Sequence, residues 1–229
     1  MRLRRKPWVS AALEEFKDIV VIRELPGGGA LQPEGDEEKS RYAPFKGHWH
    51  ECFGRKAPLH VELGTGKGNF ISELADQQPE VNFIGIEAQQ DVLFYGARKV
   101  REKNLANVRL LVFNINQIMD IFAPGEIDRL YINFCDPWPK ARHAKRRLTH
   151  ADFLEKYRLL LSGGGEIFFK TDNRPLFEFS LEQFNACALK VENVTFDLHN
   201  SGYQGNVMTE YEKKFSAMGM PIHRCEITF

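Results

Sequence analysis

The stretch Leu59-His60-Val61-Glu62-Leu63-Gly64-Thr65-Gly66-Lys67-Gly68 decides the fold. A short apolar run enters a glycine-rich turn, and a helix carrying Phe70, Ile71 and Leu74 on one stripe follows. The pattern then repeats. A second strand, 81–86, ends in Glu87, and a helix follows with Leu93, Ala97 and Val100 on one side and Arg98, Lys99, Arg101 and Lys103 outside it. A third strand, 108–113, ends in Asn114, and a fourth, 130–134, delivers Asp136. Thr149 and Asp152 have the spacing of a capping box for a helix bearing Phe153, Tyr157 and Leu160, which Gly163-Gly164-Gly165 is expected to stop. A fifth strand, 166–171, ends in Asp172. Pro175 suits the first turn of a further helix with Phe177, Leu181 and Phe184 inward, and late strands are expected over 191–198 and 222–228. Strict strand–helix alternation implies an α/β fold, a mostly parallel twisted sheet with helices on both faces.

Composition narrows the function classes. Lys plus Arg and Asp plus Glu are equal at 31 each, so a polyanionic partner must be held by a local patch and not by a global field. Two patches qualify: residues 140–147, and Arg2, Arg4, Arg5 and Lys6. The four cysteines are widely spaced without a Cys-x-x-Cys pair, which argues against zinc or a disulfide framework and for a reducing, cytoplasmic setting. Acids at 14, 15 and 18 interrupt any signal-like apolar region, and no run approaches the roughly 18 apolar residues of a membrane span. Residues 26–47 are rich in Gly, Pro and acids, so the expected organisation is an N-terminal basic arm with linker over 1–47 and the main domain over 48–229. His48 and His50 flank Trp49 without a third metal ligand nearby; no metal is expected.

In open α/β sheets ligands sit at the carboxyl ends of the strands. Glu62, Glu87, Asn114, Asp136 and Asp172 lie at or beside the ends of five successive expected strands, a rim that solvation alone does not explain. The turn does not complete a dinucleotide fingerprint, because position 69 is Asn. Nor is it a phosphate loop, because Lys67 is followed by Gly68. An acid two residues before Gly64, with Gly66 behind it, fits a cofactor that carries positive charge and no phosphate, such as S-adenosylmethionine. Glu87 is placed to accept from both ribose hydroxyls and Asn114 to pair with the adenine edge.

The second decisive stretch is Asp136-Pro137-Trp138-Pro139-Lys140, continued by Ala141-Arg142-His143-Ala144-Lys145-Arg146-Arg147. Two prolines stiffen the backbone, an indole offers either a stacking face or a packed core aromatic, and five of these eight residues from Lys140 onward are Lys or Arg. Acid, aromatic plate and cationic strip together suggest chemistry on a base held in a polyanion.

These segments, with Met1 to Trp8, Lys170-Thr171-Asp172-Asn173-Arg174 and Thr209-Glu210-Tyr211-Glu212, resemble the bacterial tRNA (guanine-N7)-methyltransferase family over nearly the whole chain. The resemblance implies a Rossmann-like methyltransferase fold. It also implies methyl transfer from S-adenosylmethionine, leaving S-adenosylhomocysteine, to N7 of the variable-loop guanine of tRNA (guanosine 46 by tRNA convention). It implies cofactor contacts at Glu62, Gly64, Gly66, Glu87, Asn114 and Asp136, with Asp136 catalytic. It implies guanine or tRNA contacts at Lys140, Asp172, Thr209, Glu210, Tyr211 and Glu212, and RNA contacts at Arg142, His143, Ala144, Lys145, Arg146 and Arg147. Monomer and homodimer are both open. Two other classes would use the same residues: a methyltransferase acting on another nucleic-acid base, and an RNA-binding protein with an inactive cofactor fold.

Overall fold

Five consecutive buried residues, Leu59–Leu63, form the first strand (β1) of the first of two compact units, 1–123 and 124–229. The computed structural model describes residues 8–21 and 45–229, so the Arg2–Lys6 patch and the acids at 36–38 lie outside the described residues. β1 pairs in parallel with Asn82–Glu87 (β2), and β2 with Val108–Val112 (β3), giving the order β3-β2-β1 in this unit. β1 is buried along its whole length although His60 and Glu62 alternate with its apolar residues, and in β2 the buried Asn82 precedes the apolar run Phe83-Ile84-Gly85-Ile86.

The described helices of this unit are Trp8–Leu13 (α1), Trp49–Phe53 (α2), Asn69–Gln77 (α3) and Gln90–Glu102 (α4). α3 buries Phe70, Ile71, Leu74 and Ala75, and α4 buries Leu93, Phe94, Ala97 and Val100, as their stripes require. The glycine-rich turn lies directly on α4: a Cβ at Gly68 would stand 2.8 Å from the Cα of Gly96, and Gly68 has φ +70°. Only glycine satisfies both demands.

Residues 8–21 pack into this unit. The Trp8 ring meets Phe94 edge-on at 5.2 Å, Arg101 donates to Asp18 at 2.6 Å, and Val21 donates to the Leu110 carbonyl at 3.0 Å. Trp49, 1% exposed, is a core anchor whose Nε1 donates to the Ile121 carbonyl at 2.8 Å.

The second unit holds Ile127–Asn133 (β4), Ala151–Leu160 (α5), Leu161–Thr171 (β5), Arg174–Ala186 (α6), Lys190–Thr195 (β6), Glu210–Ala217 (α7) and His223–Thr228 (β7). Its strand order is β4-β5-β7-β6, with β4 and β5 parallel and β7 antiparallel to both neighbours. The late strand expected over 191–198 ends at Thr195 because the pairing slips between Glu192 and Thr195.

Three local expectations are corrected here. The helix ending at Leu160 passes directly into β5, and Gly163, Gly164 and Gly165 lie inside that strand. Ile127 pairs with Leu161 but Arg129 already pairs with Glu166, so the glycines absorb the extra residues of a bulge, with Gly164 at φ +85°. Thr149 is not the cap of α5. His150 is, its Nδ1 accepting from the Asp152 amide at 3.1 Å, while the Thr149 hydroxyl is buried 2.7 Å from the Ser180 hydroxyl. Leu181 is only half-buried; α6 turns Leu176, Phe177, Ser180 and Phe184 inward.

Candidate functional site

In the first unit the polar residues of the rim organise the glycine-rich turn. Glu62, 3% exposed, accepts from the Thr65 hydroxyl at 2.6 Å. The amides of Gly64 and Thr65 both donate to the Ile86 carbonyl at 2.9 Å, tying the turn to the end of β2. Glu87, half-buried, accepts from the Gly66 amide at 3.2 Å through Oε2 and from the Gln89 amide at 2.9 Å through Oε1. One carboxylate thus fixes both the loop before α3 and the loop before α4.

Gly64 and Gly66 have φ +77° and +58°, and a Cβ on either would meet nothing within 4 Å. Open space over a turn bounded by two carboxylates suits a cationic ligand that approaches the backbone closely. Asn114, exposed after β3, accepts from the Asn116 amide at 3.1 Å and caps the 3-10 helix Ile115–Asp120. Its amide NH2 makes no hydrogen bond among the described residues, which leaves two donors for a purine edge.

In the second unit Asp136 is exposed and its carboxylate makes no hydrogen bond among the described residues. A turn-forming Asp would bond its own backbone; this one does not. The chain around it is forced into the left-handed region at Phe134 (φ +51°) and Trp138 (φ +42°). Phe134 is held by its amide, which donates to the Lys170 carbonyl at 2.9 Å. Burial, aided by the neighbouring Asp136 charge, pushes the Cys135 thiol up to about 12, so it stays neutral at physiological pH and supplies no nucleophile.

Trp138 is neither a core residue nor a bare plate. It is half-buried, its ring meets His143 edge-on at 5.8 Å, and the Arg146 guanidinium lies 5.0 Å from its centroid. The basic strip forms a 3-10 helix, Ala141–Arg146. Its cations divide by role. The side chains of Lys140 and Arg142 are exposed and make no hydrogen bond or ion pair among the described residues, and exposed Lys145 lies 3.7 Å from Asp152. Arg147 is turned inward: Nε donates to the Pro137 carbonyl and Nη2 to the Trp138 carbonyl, both at 3.1 Å, and the guanidinium sits 4.2 Å from the Phe179 ring centroid. His143 and Ala144 are half-buried within the same turn.

Asp172 follows β5, half-buried, and Asn173 beside it caps α6 by accepting from the Leu176 amide at 2.9 Å. The segment 209–212 opens α7. The Thr209 hydroxyl accepts from the Glu212 amide at 2.9 Å, Glu212 is completely enclosed, and Glu210 and Tyr211 are exposed. Tyr211 stacks at 22° on Phe134, centroids 6.4 Å apart, and at 23° on Phe215, 6.2 Å apart. Sequence reasoning missed Phe134 and Phe215 in this aromatic group, and missed Lys170 beneath it. The one available signal was a lysine closing the apolar strand Ile167-Phe168-Phe169-Lys170, since buried lysines require partners. Among the described residues no group of three or more His, Cys, Asp or Glu is arranged to hold a metal ion.

The fold matches known structures. An antibiotic-related methyltransferase superposes with a TM-score of 0.58 at 19% identity, over 89% of this chain and 97% of its own. A SAM-dependent methyltransferase from Aquifex aeolicus gives 0.50 at 14% identity, over 86% and 97%. The class is therefore the Rossmann-like fold of S-adenosylmethionine-dependent methyltransferases. The sequence profile of a family described as "Putative methyltransferase" matches residues 56–225. The tRNA (guanine-N(7)-)-methyltransferase of Halalkalibacterium halodurans is 48% identical over 229 residues, covering 100% of this chain and 96% of its own. The one from Bacillus licheniformis is 50% identical over 226 residues, covering 99% and 98%. The chain belongs to the tRNA (guanine-N(7)-)-methyltransferase family.

Proposed function

We propose that this enzyme transfers the methyl group of S-adenosylmethionine to N7 of a guanine in tRNA, the variable-loop guanosine 46, in the cytoplasm. The observation that carries the reading is near-half identity along the full length to curated enzymes of that name. The site residues support it. Glu62, Gly64, Gly66, Glu87 and Asn114 fit a cationic, phosphate-free nucleoside cofactor, with Glu87 for the ribose hydroxyls and Asn114 for the adenine edge. When bound, that cofactor supplies an electrophilic methyl group on a sulfonium.

The remaining chemistry falls to the protein. N7 of guanine carries a lone pair and no proton, so no general base is needed. What matters is alignment and a counter-charge for the cation that develops on the purine. Asp136, exposed and uncommitted to any hydrogen bond among the described residues, is the catalytic residue in this reading, contacting both cofactor and guanine. Lys140, Asp172, Glu210 and Tyr211 serve the guanine, and Arg142, Lys145 and Arg146 serve the phosphates. The guanine must leave its tertiary contacts in tRNA, at a cost of a few kcal/mol, and a stacking ring offsets part of that cost. In the same reading residues 1–47 carry the basic arm and its linker, of which 8–21 pack into the first unit.

The test is incubation with labelled S-adenosylmethionine and a tRNA transcript, followed by strand scission at 7-methylguanosine. Scission at one variable-loop position, lost when guanosine 46 is replaced by adenosine, is the expected result. Label on another base or on no base overturns the proposal.

A further inference from the structure

Lys170 has no role in the site described so far, yet two parts of that site hang on it. It lies one residue from the end of β5, 4% exposed. Its ammonium donates to Glu212 Oε2 at 2.8 Å, to the Val207 carbonyl at 2.9 Å and to Asn206 Oδ1 at 3.0 Å. Three acceptors thus meet the three donors of the ammonium. Glu212 is equally committed. Its second oxygen accepts from Asn206 Nδ2, with His199 Nε2 at 3.4 Å, and its side chain is 0% exposed. A carboxylate enclosed in this way does not reach a base in solution.

The main chain of Lys170 serves a different segment. Its carbonyl accepts from the Phe134 amide, two residues before Asp136, where the backbone holds a positive φ. Phe134 in turn stacks on Tyr211, a residue 60% exposed that immediately precedes Glu212. Phe215, one turn further along α7, stacks on both. One residue therefore ties the Asp136 segment through its backbone and the start of α7 through its side chain.

We propose that Lys170 and Glu212 are a positioning pair that fixes the exposed Tyr211 ring as a base-stacking plate at a set offset from Asp136. Glu212 then acts through Tyr211 and does not touch the substrate, unlike the contact the family resemblance implies. The proposal rests on the function given above. Its physical basis is that each charge is stable in this water-poor setting only with its partner present. Removing either one releases the first turn of α7, and with it the plate.

The test uses the full chain and compares single-turnover methylation of tRNA, at subsaturating enzyme, in Tyr211→Ala, Tyr211→Phe, Glu212→Gln, Lys170→Met and the double variant Tyr211→Ala/Glu212→Gln. Calorimetric S-adenosylmethionine binding and thermal unfolding report on folding. Tyr211→Ala is expected to slow the reaction about tenfold, within the range for loss of one base–aromatic stack, and Tyr211→Phe, which keeps the ring, should slow it less than Tyr211→Ala does. Glu212→Gln and Lys170→Met should slow it comparably. Tyr211→Ala added to Glu212→Gln should slow it no further, because the plate is already displaced.

Multiplied losses in the double variant, about a hundredfold in all, would mean that Glu212 acts on substrate independently and would overturn the proposal. A wild-type rate in Glu212→Gln or in Tyr211→Ala would also overturn it. If Lys170→Met does not fold, the Glu212→Gln and Tyr211→Ala pair, which keeps Lys170, decides alone. Wild-type enzyme run in parallel separates the two readings: no 7-methylguanosine from wild type refutes the function, whereas product from wild type with multiplied losses refutes the pairing.

Discussion

Arg147 belongs to the cationic strip by sequence, yet replacing it should damage the Asp136 turn and hardly touch RNA binding. Its two hydrogen bonds, to the Pro137 and Trp138 carbonyls at 3.1 Å, are charge-assisted. Such bonds contribute about 1.5–3 kcal/mol each when buried. Stacking on Phe179 at 4.2 Å adds about 0.5–1 kcal/mol. Arg147 is only half-buried, so solvent screening reduces the sum, and we expect Arg147→Ala to cost about 2–3 kcal/mol of stability. That is enough to release Trp138, whose left-handed backbone costs on the order of 1–3 kcal/mol. Urea denaturation measures the loss, and single-turnover methylation measures its consequence at Asp136. Arg147→Lys should recover less than half of the stability, because an ammonium cannot bridge two carbonyls with a planar fork. The salt dependence of tRNA binding should stay close to wild type. Wild-type stability in Arg147→Ala, with a salt slope reduced by the ~0.7–0.9 of one phosphate, would refute this reasoning and make Arg147 an RNA contact.

Other substitutions should give the complementary pattern. Arg142→Ala, at an exposed residue whose side chain makes no hydrogen bond or ion pair among the described residues, should leave stability unchanged and reduce the salt slope by about 0.7–0.9; an unchanged slope removes it from the interface. Glu87→Ala should weaken S-adenosylmethionine binding by roughly 1.5–3 kcal/mol, as for lost charged hydrogen bonds, with tRNA binding in the absence of cofactor preserved. Normal affinity by calorimetry would exclude the ribose role. Asp136→Asn should slow single-turnover methyl transfer about 10–100-fold, or ~1.4–2.8 kcal/mol of barrier, with tRNA affinity retained; near-normal chemistry would move the counter-charge to another residue of the rim.

The contrast between Arg142 and Arg147 shows where the sequence was legible and where it was not. Strands β1, β2 and β3, the stripes of α3 and α4, and the polar residues closing each strand were readable because each is fixed by a pattern a few residues long. The errors share one cause. Thr149 has capping-box spacing, but its hydroxyl is taken by Ser180, 31 residues away. Gly163 to Gly165 look like a helix stop, but β4 already pairs with Leu161, so they become a strand bulge. Lys170 finds Glu212 42 residues later, and nothing near either residue names the other. Arg147 is indistinguishable from its neighbours in a basic run until Phe179 and the Trp138 carbonyl are in place.

Local pattern thus points to the candidate ligand contacts, because those residues are polar where the fold demands an apolar or turn-forming choice. It does not locate the residues that hold them in register, because their defining property is a distant partner. For this enzyme the distinction has a chemical consequence. A reaction without a general base depends on alignment and on a counter-charge held in place, so in the proposed reading Lys170, Glu212 and Arg147, which position the groups that act, should weigh on the rate nearly as much as Asp136.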